Sequence, residues 1–190
     1  MKNKVLILFL ILLFSSCSNV YYIDSVLGDD SNSGKSPNKA WSSLKKVNQI
    51  TFQPGDKILF KSGTIYYGQL EPKGSGIKDK PILINSYGSG KKPAIHGEGE
   101  KLHTLLLYNV EYWEIRNLEI TNKGEVREAK RRGVVISAEN FGDCHHIIID
   151  NLEIHHVNGS LVKKDGGGSA ILWQNSGQKI PTRFVDLIIE

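Results

Sequence analysis

The sequence predicts an all-β chain built as a solenoid, and three observations carry that expectation. A phrase returns: Tyr112-Trp113-Glu114-Ile115-Arg116-Asn117-Leu118-Glu119-Ile120 comes back as His146-Ile147-Ile148-Ile149-Asp150-Asn151-Leu152-Glu153-Ile154, offset by 151 − 117 = 34 residues. Looser echoes follow in step. Asp186-Leu187-Ile188-Ile189 reads as a third copy at 186 − 151 = 35, and Gly133-Val134-Val135-Ile136 is matched by Gly168-Ser169-Ala170-Ile171 at 168 − 133 = 35. Finally, Trp113, Ile115, Leu118 and Ile120 alternate at period two with one extra step at Arg116-Asn117, the signature of two strands and a bend. A unit of this kind cannot bury its inner face alone, but stacked about 4.8 Å from the next it can. Stacking would ladder Asn117, Asn151 and Asp186 along one edge and set Arg116 beside Asp150. Glu119 over Glu153 is a like-charge pair that requires both to face water.

The repeated words resemble the right-handed parallel β-helix proteins of the pectate-lyase-like superfamily, in particular the exported or lipid-anchored ones of polysaccharide-degrading bacteria. The resemblance rests on Gly28-Asp29-Asp30-Ser31-Asn32-Ser33-Gly34, Pro54-Gly55-Asp56-Lys57-Ile58-Leu59-Phe60 and the two Asn-Leu-Glu-Ile words, and runs from Tyr21 to the end. It implies a right-handed parallel β-helix with an N-terminal capping helix. The fold hosts lyases, hydrolases, epimerases and non-enzymes, so it does not by itself name a reaction.

Taken in order, residues 1–16 carry Lys2 and Lys4, then an apolar run from Val5 to Phe14, then Ser15-Ser16. This reads as a signal peptide whose apolar run is too short for a mature anchor. Cys17 after Ser16 resembles a lipoprotein cleavage box and would be lipidated, although Phe14 stands where Leu is usual. The implied location is the outer membrane or cell surface, or outside the cell if Cys17 is not acylated. Without Lys2 and Lys4 there are 24 − 2 = 22 basic against 20 acidic residues, too even for a nucleic-acid binder. Residues 20–190 form one domain, expected to be a monomer. Cys144 is the one remaining thiol, so no internal disulfide staples the fold.

Asp24, Asp29, Asp30 and Asn32 have the oxygens for calcium, but their spacing suits Asx turns leading into a helix. Ser36-Pro37 reads as N-cap and first helical residue, and Ala40, Trp41, Leu44 and Val47 form a helical stripe that would plug the open end. Residues 57–61, 64–70 and 81–86 read as the first strands, and 104–108 opens the next circuit. Leu187-Ile188-Ile189-Glu190 stops inside a strand, which suggests that later coils are missing.

Two long loops, Thr121 to Arg132 and His155 to Gly167, occupy the same place in adjacent coils and should project side by side. They carry Arg127, Lys130, Arg131, Arg132, Lys163 and Lys164, a rim that would attract an anionic glycan. Elimination from a uronate needs a base for the C5 proton and a cation at the carboxylate. In lyases of the resembled fold the base is often Lys or Arg and the cation often calcium. Lys163 or Lys164 is then the base, its proton loosened by like charges, and Arg131 or Arg132 the bidentate clamp. A solvated basic loop is the plainer reading of the same charges. His155 and His156 could reach into the groove as acid or base, or be satisfied turn residues. Trp173 could stack on a sugar and serves equally as core. Cys144-His145-His146 is a poor metal site because neighbours on a strand face opposite ways. Asp143 and Asp165 keep a two-carboxylate hydrolase open, and a non-catalytic glycan-binding or surface-structural solenoid is the remaining alternative.

Overall fold

The computed structural model describes residues 18–190, so the leader and Cys17 lie outside the described residues. The chain is all-β. Strands β1 (Val20–Ile23), β2 (Lys57–Lys61), β3 (Ile65–Tyr67), β4 (Ile82–Tyr87) and β5 (Ala94–His96) lead to β6 (His103–Tyr108), β7 (Trp113–Arg116), β8 (Glu119–Asn122), β9 (Arg132–Glu139) and β10 (Asp143–Cys144). Then come β11 (Ile147–Asp150), β12 (Glu153–Val157), β13 (Ser169–Ser176), β14 (Arg183–Phe184) and β15 (Leu187–Ile189).

The chain visits three parallel sheets in turn, ordered β1-β2-β4-β7-β11-β15, β3-β5-β8-β12 and β6-β9-β13, with β10-β14 as a small fourth. Successive circuits therefore lie on one another. Register sets the core. Ile58, Ile84, Ile115 and Ile149 form one inner column, and Ile82, Trp113 and Ile147 another. All of these are buried, because alternation turns every second side chain inward. Leu105 and Val134, then Leu107 and Ile136, line the third sheet's inner side.

The corner is an Asn ladder. Asn117 and Asn151 turn with φ of 56° and 53°, conformations that Asn tolerates. The Asn151 amide donates to Asn117 Oδ1 (2.6 Å) and the Asn117 amide to Asn85 Oδ1 (2.8 Å). Arg116 pairs with Asp150 as expected. Asp186 is not in the ladder. Leu187 pairs with Ile147, which sets Asp186 level with His146 rather than Asn151.

The Gly133 and Gly168 words are likewise two residues out of step, since Ile171 pairs with Val134 and Trp173 with Ile136. The slip has a local cause. His155 pairs with Thr121 but Val157 with Asn122, so His156 bulges out at φ 50°. The following loop adds the rest.

The N-terminal helix is shorter than expected. A 3-10 turn at Pro37–Lys39 ends at extended Ala40, and α1 spans only Leu44–Gln49. Ser36 and Pro37 take the N-cap and first positions of the 3-10 turn, as expected, and Ser43 caps α1, accepting from the Lys46 amide at 3.1 Å. The reason is Asp30, whose carboxylate accepts the amides of Ser42 and Ser43 and holds that stretch extended. Burial pushes the Asp30 carboxyl up, but hydrogen bonds from Ser43 and Ser42 leave it below its ordinary value. Trp41 is extended too and bridges to Ile23. It still joins Leu44, Val47 and Phe52 in the core.

Cys144 is buried, its thiol donating to Val110 O at 3.3 Å. Burial, then the Glu111 carboxylate, push its pKa up to about 12. Native protein at neutral pH is therefore expected to react with an aromatic disulfide reagent at least tenfold more slowly than unfolded protein, read by absorbance. Equal rates would contradict the burial.

Candidate functional site on the β3-β5-β8-β12 face

The outer face of the second sheet carries a column set by register: Tyr67, His96, Thr121 and His155 stand on successive strands. Ile95 and Ile120 alternate with them and point inward, so the sequence periodicity forces this polar row outward. Beside it lies Glu119. His155 Nε2 approaches Glu119 Oε1 at 3.2 Å and His96 Nε2 approaches the same oxygen at 3.8 Å. The His96 Nε2 atom is shielded from solvent yet has no hydrogen-bond partner. Tyr67 packs edge-on to His96 with centroids 5.9 Å apart. His156, thrown out by the bulge, sets its ring against His155 at 4.7 Å.

Together His96, Glu98, Glu119, Lys123, His155 and His156 line an open pocket of about 300 Å³. His155 is also a wall of a neighbouring groove of about 350 Å³ that runs to Arg127 and Leu161 under the long loops. Imidazoles, carboxylates and a lysine around one cleft supply the donors and acceptors that hydroxyl-rich ligands need. Glu119 faces outward over Glu153, and the two imidazoles lie beside it where a like-charge neighbour would otherwise stand alone. Among the described residues no group of three His, Cys, Asp or Glu side chains has the spacing to hold a metal ion.

The two long loops do lie side by side. Glu128 N donates to Asn158 O (3.3 Å), Ser160 N to Glu128 O (2.9 Å) and Lys130 N to Gly167 O (2.8 Å). Their basic side chains, however, are largely fasteners. Arg131 is buried, with Nη1 donating to Asn158 Oδ1 (2.7 Å) and Val126 O, and Nη2 to Glu128 Oε2 (2.7 Å). A Cβ on Gly124 would come 2.7 Å from the Arg131 Nη2, so only glycine leaves room for the guanidinium. Arg132 donates to Lys130 O and, at 2.9 Å, to Gly166 O. Arg127 donates to Gly159 O at 3.0 Å. Lys130 packs its stem against Gly166. Lys163 and Lys164 stand on an exposed 3-10 turn, outside the residues that line the His–Glu pocket. Of the expected rim, Lys130, Lys163 and Lys164 keep exposed ammonium groups and Arg127 is exposed but bonded to a carbonyl, while Arg131 and Arg132 are taken up by the loops.

Trp173 is an exposed aromatic beside Asn175 and Leu187. It is in register with the core residues Leu107 and Ile136, and is 57% exposed on the last circuit. Asp143 is held bidentately by Arg183 at 2.8 and 2.9 Å. That guanidinium keeps its carboxyl below the usual range, so it is no proton donor near neutral pH. Cys144 turns inward, while His145 and His146, in the corner between β10 and β11 and not on a strand, both turn outward to Glu111 and Glu114. Reading the sequence found His155 and His156 but missed His96 and Glu119. Glu119 was legible from its register with Glu153. His96 ends a three-residue strand after Pro93 that repeats no earlier word.

No family model matches the chain. It is 32% identical over 202 residues to a lacto-N-biosidase of Bifidobacterium longum subsp. longum, covering 79% of this chain and 13% of that protein. It is 31% identical over 70 residues to alpha-1,3-galactosidase A of Akkermansia muciniphila, covering 37% of this chain and 12% of that one. Among solved structures, the GH136 lacto-N-biosidase of Eubacterium ramulus matches with a TM-score of 0.80 and 29% identity, over 90% of this chain and 33% of that chain. A rhamnogalacturonan lyase matches at 0.53 and 17% identity over 90% of this chain and 56% of that chain, a likeness of fold alone. The chain thus spans about an eighth to a third of the lacto-N-biosidases it matches. These findings correct the resemblance to the pectate-lyase-like superfamily and the expectation of a lyase for acidic glycans. The higher-identity matches are to glycoside hydrolases, and the site geometry agrees by tying up the arginines that elimination would have used.

Proposed function

We propose that this chain is part of a glycoside hydrolase of the lacto-N-biosidase kind, exported and held at the cell surface by a lipidated Cys17. The observation that carries this is sequence identity to a lacto-N-biosidase sustained over most of the chain's length. The parallel circuits are read as a right-handed β-helix. The cleft around Glu119 is read as a saccharide contact: Glu119 accepts sugar hydroxyls, and His96 and His155 orient it and donate to ring substituents. Hydrolysis itself needs a proton donor for the leaving oxygen and a second carboxylate acting on the anomeric carbon or its attacking water. Glu119 is assigned to binding, not to either of those roles.

The test is an aryl glycoside of lacto-N-biose offered to the full-length protein. Release of the aryl alcohol is expected. Glu119→Gln should raise KM by about tenfold or more, the effect of losing a charged hydrogen bond of about 1.5–3 kcal/mol, with a smaller change in kcat. Absence of hydrolysis, or a Glu119→Gln protein with unaltered KM, would overturn the reading.

A further inference from the structure

A second cleft lies on a different sheet, the outer side of β4-β7-β11-β15. It encloses about 620 Å³ and is lined in part by Lys78, Asp79, Tyr112, Glu114, His145 and Asp186. Its floor is built by the stacking of circuits. Tyr112 N donates to His145 O (2.8 Å), Trp113 N to His146 O (2.9 Å) and Ile147 N to Asp186 O (2.8 Å), so Tyr112, His146 and Asp186 recur at one corner of successive turns. Both Tyr112 and His146 hold positive φ, 57° and 53°, at this corner.

The three rings form a shelf. Tyr112 lies nearly parallel to His145 (centroids 5.8 Å apart, 14° between planes) and to His146 (6.0 Å, 23°). Carboxylates fix the imidazoles from the side: Glu111 Oε2 sits 3.0 Å from His145 Nδ1, and Glu114 Oε1 sits 3.0 Å from His146 Nε2. Asp79 and Asp186 complete the rim. The Tyr112 hydroxyl is pushed above the usual phenol range by desolvation first, then by Glu111, Asp186 and Asp79.

We propose that this cleft is a second saccharide-binding site that takes a neutral pyranose. The flat negative ring faces suit the C–H face of a sugar, while acceptors at two sides suit its equatorial hydroxyls. Three lining carboxylates, Asp79, Glu114 and Asp186, against Lys78 and the Arg116 that pairs with Glu114 leave a negative balance that disfavours phosphate, sulfate and uronate. A divalent cation finds no triad of ligands with the right spacing among the described residues. The cleft's size is that of a small-ligand site. The site is separate from Glu119 and does not depend on which glycosidic bond the protein cleaves.

The probe is methyl β-galactopyranoside, with glucosamine as a cationic comparison, observed by saturation-transfer NMR on the full-length protein. Saturable transfer from the neutral galactoside is expected in wild type and in Glu119→Gln. It should weaken at least tenfold in Tyr112→Ala and in Asp79→Asn, while cleavage of a small aryl glycoside is unchanged. Asp79 has φ 67°, which asparagine accepts, so that variant tests the site without disturbing the turn. Transfer that persists in both variants, transfer from glucosamine alone, or no transfer in wild type would each overturn the proposal.

Discussion

Replacing Trp113 with alanine is expected to destabilise the protein by about 3–5 kcal/mol, the cost of removing a large aromatic from a packed core. Trp113 is fully buried and lies between Ile82 and Ile147 in a column that spans three circuits. It also meets Phe52 edge-on at 6.1 Å and donates its indole N–H to Gly74 O at 2.9 Å. Its loss would leave a void that rigid backbone ladders on both sides cannot collapse into, and a carbonyl without its donor. Tm should fall by roughly 6–20 °C in calorimetry. Trp113→Phe should recover most of the packing but not the hydrogen bond, a residual loss of about 1 kcal/mol. A Trp113→Ala protein that melts within a degree or two of wild type would show that the columns do not carry the stability.

Arg131→Ala should destabilise by about 1.5–3 kcal/mol, because it leaves Asn158 Oδ1 and the Val126 carbonyl without their charged donor, while Glu128, which is 52% exposed, returns to water. The guanidinium is 3% exposed and ties both long loops together through Asn158, Val126 and Glu128. Without it Asn158 keeps its bonds to Gly124 N and O (3.0 and 2.7 Å), but the loop at 123–131 loses its internal anchor. Limited proteolysis should then cut there first. Arg131→Lys should rescue little, since one ammonium cannot serve partners on two separate nitrogens. Early cleavage elsewhere, or full rescue by lysine, would mean that the arginine acts as a surface charge and not as a fastener.

The contrast between these residues explains what could be read from the sequence. Trp113, Ile115 and Ile120 were legible because burial in a strand leaves a period of two, and stacking repeats that period every 34 residues. Asn117 and Asn151 were legible because few residue types accept a left-handed corner. The loops were legible in place but not in role. A run such as Lys130-Arg131-Arg132 looks the same whether its charges meet water, a glycan or neighbouring carbonyl oxygens. Only the folded distances separate Arg131, which is buried, from Lys164, which is exposed. The third circuit was misaligned by the sequence because one bulged residue, His156, and a longer loop shift the count without changing which faces point inward. Glu119 went unseen as a site residue because its partners His96 and His155 come from strands on either side, 119 − 96 = 23 and 155 − 119 = 36 residues away.

The proposed cleavage of a neutral glycan with water as co-substrate is tested most directly with isotope-labelled water. The full-length protein is incubated with a lacto-N-biose glycoside in water enriched in heavy oxygen, and the products are weighed by mass spectrometry. Incorporation of one heavy oxygen at the newly freed anomeric carbon is the predicted result. Products that carry no label, or no cleavage while a uronate polymer yields unsaturated ends, would contradict it.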